Sequence, residues 1–129
     1  MQTPVDLDER FGQFDEPWSP KLIARLNDYE IKAVRLSGEF VWHDHPDTDE
    51  LFLVLEGSLL IQLHEQDGGD VRVGAGQLFV VPRGVQHCPR AEGEVRALLI
   101  EPAGVVNTGS AGSGALTATP DHSLVEPRA

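Results

Sequence analysis

The stretch WHDHPDTDE, from Trp42 to Glu50, sets two imidazoles and a carboxylate close together immediately ahead of the apolar run LFLVLEG. On a β-strand side chains alternate faces, so His43 and His45 are expected on one side, about 7 Å apart at a rise of roughly 3.3 Å per residue. Two imidazoles at that spacing can converge on one ion. Pro46 cannot donate to a sheet ladder and PDTD is turn-forming, so the strand is expected to end there and Glu50 to open the next one, directed back to the same interior. On that second strand Glu50, Phe52 and Val54 share a face, with one charged group at the end of an apolar lining.

A carboxylate buried beside two histidines is costly to desolvate unless something pairs with it, and a divalent cation does so. A further ligand is offered by GQLFVVPRGVQHCP, where a strand, a Pro-Arg-Gly turn and His87 follow one another so that the imidazole can fold back toward the same place. Three neutral histidines and one carboxylate suit Fe, Mn, Ni, Co, Cu or Zn, and a six-coordinate ion would keep two positions open for water or substrate. Glu50 is also the candidate general base, since a carboxylate in an apolar barrel has reason to be shifted toward a useful pKa. Each element has a plainer reading: a chance His-x-His pair, a strand-end charge, a satisfied histidine near a turn. Their joint placement on strands bounded by suitable turns favours a metal. His64 and His122 have no such partners and are read as surface residues, while Asp44, Asp47 and Asp49 are read as keeping a turn solvated. Cys88, next to His87, is expected to face away from the metal and to pack. Tyr29, Arg35 and Gln62 are possible cavity residues that strand parity does not place.

The elements that must carry these residues are strands. From Lys21 onward, short apolar runs alternate with turn residues: KLIARL, YEIKAVRL, EFVWHDH, ELFLVLEG, SLLIQLHE, DVRVG, QLFVVP and EVRALLIEP. About eight strands with tight turns predict an all-β sandwich or closed barrel. Its interior is expected to draw on Val41, Phe52, Val54, Ile61, Phe79 and Val81. Ahead of it, residues 1–20 form an N-terminal arm in which DLDERFGQF predicts a short helix with Leu7, Phe11 and Phe14 as its buried stripe, stopped at DEPWSP. The barrel is assigned to residues 21–104. Residues 105–129 are Gly/Ser-rich, with too few large apolar groups for a core, and are expected to be a tail or an arm docked on the barrel. Leu51 to Leu55 and Leu98 to Ile100 are apolar on both faces, which predicts a second sheet or a second subunit against them, and hence a homodimer.

Composition narrows the partners. The 129 residues suffice for one core in one domain, and a net charge of −11 repels phosphate backbones and anionic lipid surfaces, so neither nucleic acid nor membrane is an expected partner. No apolar stretch approaches the roughly 20 residues that cross a bilayer. The acidic start and the single Cys88 point to a cytoplasmic protein without a disulfide framework.

With these residues lined up, the chain resembles the cupin superfamily. Its first motif runs Gly, five residues, His-x-His, three or four residues, Glu, six residues, Gly; His43, His45, Glu50 and Gly57 match it. The second motif is met at the family spacing by Gly76, Pro82, Gly84 and His87. Four residues instead of five separate Gly38 from His43, and Ala91 stands where the second motif ends in Asn; neither is a ligand position. The resemblance, closest to short single-domain bacterial cupins, implies a double-stranded β-helix, the jelly-roll barrel, with a metal in its mouth held by His43, His45, Glu50 and His87, and often a dimer paired through strands. It implies no single activity: similar proteins include dioxygenases, isomerases, decarboxylases, lyases and binding proteins. The expected function is a metal-dependent enzyme of dioxygenase, isomerase or lyase type acting on a small oxygen-bearing metabolite. The alternative is a non-catalytic small-molecule-binding or sensory module with an anchoring or structural metal.

Overall fold

The computed structural model describes residues 3–125; the outermost residues of the expected N-terminal arm and C-terminal tail lie outside that range. A short helix α1 (Leu7–Phe11) precedes seven strands: β1 (Lys21–Leu26), β2 (Tyr29–Glu39), β3 (Glu50–Glu56), β4 (Ser58–Leu63), β5 (Val71–Gly74), β6 (Leu78–Val81) and β7 (His87–Pro102). The expected all-β barrel with a short N-terminal helix is what forms. The pairings between these strands are antiparallel, in the order β1-β2-β7-β3-β6, with β4 joining β7 and β5.

Two long strands close the barrel. The first part of β7 pairs with β4 (Leu59↔Ala91 to Leu63↔His87), whereas its second part pairs with β3 (Leu51↔Ile100 to Glu56↔Arg96). β2 follows β7 through both parts, with its register shifting between Leu36 and Gly38. One strand pair thus belongs to both walls, and side chains facing inward from β2 to β7 meet in one core: Val34, Leu36, Phe52, Val54, Leu59, Ile61, Val73 and Val81 are all buried there. Of the expected lining, Phe52, Val54, Ile61 and Val81 lie in this core and Val41 and Phe79 pack against it. The tight β3–β4 turn depends on Gly57, whose φ is 85° and whose missing Cβ would stand 2.8 Å from the Glu94 carbonyl oxygen.

The two-sided apolar strands find a different partner from a second subunit along much of their length. α1 starts at Asp6, whose carboxylate accepts from Glu9 N at 2.9 Å, and buries Phe11 against Ile23, Ala33 and Leu98, with Leu7, Phe14, Leu53 and Leu55 alongside. Arg35 ties the arm down by donating to the carbonyls of Phe11 and Phe14. The segment after β7 also docks: Asn107 donates to the carbonyls of Trp18 and Leu116 and accepts from Ala118 N, and Leu22 N donates to Asp121 O. Lys21 pairs with Asp121 at 2.8 Å. No helix among the described residues is long and apolar enough to cross a membrane.

Candidate metal centre

Three pieces of backbone bring His43, His45, Glu50 and His87 together. Glu50 opens β3 and His87 opens β7. His43 and His45 lie on the connection after β2, where the expected strand over EFVWHDH does not form: β2 ends at Glu39, and His43 makes only an isolated bridge, exchanging backbone bonds with His87 (N–O 3.0 and 2.8 Å). Phe40 and Trp42 lie outside any ladder, so the alternation that predicted a common side is not what aligns the imidazoles. The bridge to His87 and the bond from Gly84 N to His45 O, at 3.0 Å, hold this irregular segment in place. All four side chains are buried, and one potential ligand atom from each lies within 4.8 Å of the others.

The hydrogen bonds decide what those atoms present. Nδ1 of His43 is 2.8 Å from Val41 O and Nδ1 of His87 is 2.9 Å from Val85 O. A carbonyl only accepts, so both Nδ1 atoms carry the proton and, in the neutral rings, both Nε2 lone pairs point into the cluster. Nε2 of His87 then faces Glu50 Oε1 at 3.3 Å, while Nε2 of His45 lies 3.2 Å from Glu50 Oε2, off hydrogen-bonding alignment and without a partner. Lone pairs and carboxylate oxygens converging on one buried point are resolved by a cation, and the backbone bonds to Nδ1 are the outer support that metal-binding histidines use. The residues present therefore fit a divalent ion.

Electrostatics agrees with that arrangement. Burial, reinforced by His87, pushes His43 down to about 4, which keeps it neutral and available as a ligand. Burial also works against charge on His45, but Glu50, with Glu101 and Asp44, outweighs it and holds this imidazole above its ordinary value. Glu50 is held below the usual carboxylate range, because its contacts with His45 and His87 outweigh the opposite effect of burial. A metal ion and the proton on His45 compete for the same atoms.

The surroundings contain residues that sequence patterns did not single out. Glu101 is buried on β7, opposite Glu30 on β2 in the β2–β7 register. In the β3–β7 register Leu51 pairs with Ile100, which brings Glu50 opposite Glu101 in turn. Burial and the Glu50 carboxylate push Glu101 up to about 8, although Lys32 pulls the other way. The C-terminal arm covers the outer side of His45: Ser110 and Asp44 exchange two hydrogen bonds of 2.9 Å, and a Cβ on Gly109 would meet His45 Nδ1 at 2.9 Å. Only the strand-end position of Glu101, mirroring that of Glu50, could have drawn attention to it; the arm contacts have no sequence pattern.

Other expectations resolve simply. Cys88 is fully buried and burial pushes its thiol up to about 11, consistent with packing. His64 is exposed and stacks on Trp42. His122 is half-exposed but does have a partner, lying 3.6 Å from Glu30. Arg35 holds the N-terminal arm, Gln62 donates to Cys88 O, and Tyr29 is exposed at a strand end, so none of the three lines the metal centre.

A β-barrel of this topology with three histidines and a glutamate at its mouth defines the class, and the comparison with known proteins agrees: residues 34–101 match the cupin domain family, and the chain belongs to that family. A solved cupin-2 domain protein from Shewanella frigidimarina superposes with a TM-score of 0.72 at 43% identity, covering 76% of this chain and 93% of that one. The Bacillus subtilis protein YdbB, itself uncharacterised, is 38% identical over 69 residues, 54% of this chain and 59% of its own. The 3-hydroxyanthranilate 3,4-dioxygenase of Bos taurus is 30% identical over 108 residues, 78% of this chain but 37% of the enzyme. The chain thus spans 59% of the length of YdbB and 37% of that of the Bos taurus enzyme, less than two thirds in each case.

Proposed function

We propose that the protein is a metal-dependent cupin enzyme acting on a small oxygen-bearing metabolite, with His43, His45, His87 and Glu50 holding a divalent transition metal. The observation that carries this reading is the convergence of four buried ligand atoms within 4.8 Å. A metal in such a site supplies Lewis acidity toward a carbonyl or enolate, or binds dioxygen if it is redox-active. The protein's own groups orient the ligands through the Val41 and Val85 carbonyls and keep water out with Phe40 and Phe52. Glu50 is both ligand and, if it leaves the metal, the nearest base. Dioxygenase relatives at low identity support oxygen chemistry as the first to test.

A second reading, an anchoring or structural metal in a binding module, is favoured by one observation: the space beside His43 and Glu50 is about 20 Å³, room for about one water. Elemental analysis of protein purified without tag or chelator, beside a His43→Ala, His87→Ala variant, tests the site. Near-stoichiometric Fe, Mn, Ni, Co or Cu that disappears in the variant supports the enzyme and directs the next assay to oxygen uptake with small keto and enol compounds. Zinc lost in the same way directs it to non-redox chemistry, and no metal after reconstitution overturns the site. A cytoplasmic setting and a homodimer complete the proposal; Leu78 and Val80 on the edge strand β6, 59% and 40% exposed, leave apolar surface that α1 does not cover.

A further inference from the structure

The carboxylates of Glu50, Glu101 and Glu30 follow one another across three adjacent strands, and all three residues are at least 95% buried. Like charges directly opposite on a sheet destabilise it unless cations answer them. At one end of the row the imidazoles of the metal centre do so. At the other end Lys32 is the nearest cation among the described residues, and it serves two carboxylates: its Nζ lies 3.1 Å from Glu101 and 3.6 Å from Glu30. Among the described residues, Glu101 Oε2 has no hydrogen-bond partner. Among the same residues, Glu30 is approached by Lys32 and by His122 at 3.6 Å, beyond hydrogen-bond length in both cases.

This under-compensated end borders a cavity of about 210 Å³ between the sheet and the C-terminal arm. Glu30, Lys32 and Glu101 line it on the barrel side, and Leu22, Val105 and Val106 contribute apolar wall. No candidate metal ligand borders it. Its volume is below the roughly 300–1,000 Å³ of pockets for drug-sized ligands, so its occupant is small. The Glu30 carboxylate against apolar walls, in a chain of net charge −11, selects a hydrogen-bond-donating cation with a short hydrocarbon part.

We propose that this cavity is a binding site for a small alkylammonium group, received by the Glu30 carboxylate with its hydrocarbon part against Leu22, Val105 and Val106. The site stands apart from the metal reading, since it uses no candidate ligand and can be tested without reference to turnover.

The probes are n-butylammonium, n-butanol and butyrate, which share a size and differ in charge, titrated into the full chain at neutral pH and followed by amide chemical shifts. Saturable shifts at residues 103–107 and 118–122 are expected with butylammonium alone. Glu30→Gln, which keeps the shape and removes the charge, is expected to weaken binding about tenfold, the factor for losing one charge-assisted hydrogen bond. Val106→Trp, at a position 44% exposed on the rim, is expected to abolish binding without disturbing the core. Equal response to butanol, preference for butyrate, or butylammonium affinity unchanged in either variant would overturn the proposal. Absence of any saturable shift does so as well.

Discussion

At the scale of single residues, the centre depends on which imidazole nitrogen is free. His43 and His87 are fixed by backbone carbonyls, and His45 is raised by the carboxylates around it. Metal affinity is therefore expected to fall as the pH drops through the raised value of His45, because the ligand must lose that proton first; chelator competition across neutral pH measures it. Glu50→Gln should weaken that dependence together with affinity. His43 has a separate effect on stability. Its pKa moves from 6.5 to about 4 on folding, so between those values the unfolded chain binds more protons than the native one. Stability is then present above 6.5 and is lost as the pH falls toward 4, by about 3 kcal/mol in metal-free protein. Urea denaturation of wild type and His43→Gln at pH values on either side of that window is expected to show the loss only in wild type. These residues were legible in the sequence because their types and intervals are themselves the chemistry; the tautomers were not, since the carbonyls that set them belong to local backbone geometry.

At the scale of elements, β1 to β6 and the second part of β7 follow the runs read from the sequence, because each run carries its own alternation and its own turn residues; β7 itself starts earlier, at His87, and pairs with β4 ahead of its run. The run that fails is EFVWHDH. It has strand composition, yet beyond Glu39, the last residue of β2, only His43 forms a bridge, and the segment is instead shaped by that bridge to His87. The tail shows the converse: a Gly- and Ser-rich segment with little core-forming capacity is ordered by hydrogen bonds of Asn107, Thr108 and Ser110. Gly109 is where this arm touches the centre, since a Cβ there would stand 2.2 Å from Asp44 O and 2.9 Å from His45 Nδ1. Gly109→Ala is expected to displace the arm and lower metal affinity while changing global stability little, read by metal titration beside thermal unfolding. Gly57→Ala should do the reverse: it strains the β3–β4 turn against Glu94 O and costs about 1–3 kcal/mol, with the centre intact once folded.

At the scale of the molecule, one long strand pair shared by two walls encloses both the core and the centre, and the terminal segments dock on that barrel and meet each other where Asn107 donates to Trp18 O. α1 covers Leu53, Leu55 and Leu98, and among the surfaces it leaves open the edge strand β6, with Leu78 and Val80 exposed, is the one proposed for a second copy. Sedimentation of the wild type is expected to give a dimer and of Val80→Glu a monomer; a monomeric wild type would remove the edge as an interface.

The sequence by itself determined the barrel, the short helix and the four candidate ligands, because strand alternation, turn glycines and the intervals around His43, His45, Glu50 and His87 are local and periodic properties. Only the tertiary structure decided that Glu30, Glu101 and Glu50 stand in one row, that the tail closes over His45, and that the N-terminal helix takes surface expected for another subunit. Those facts depend on inter-strand register and on docking between segments up to 100 residues apart, such as Lys21 and Asp121. Nothing in the composition of either segment encodes the partner it meets.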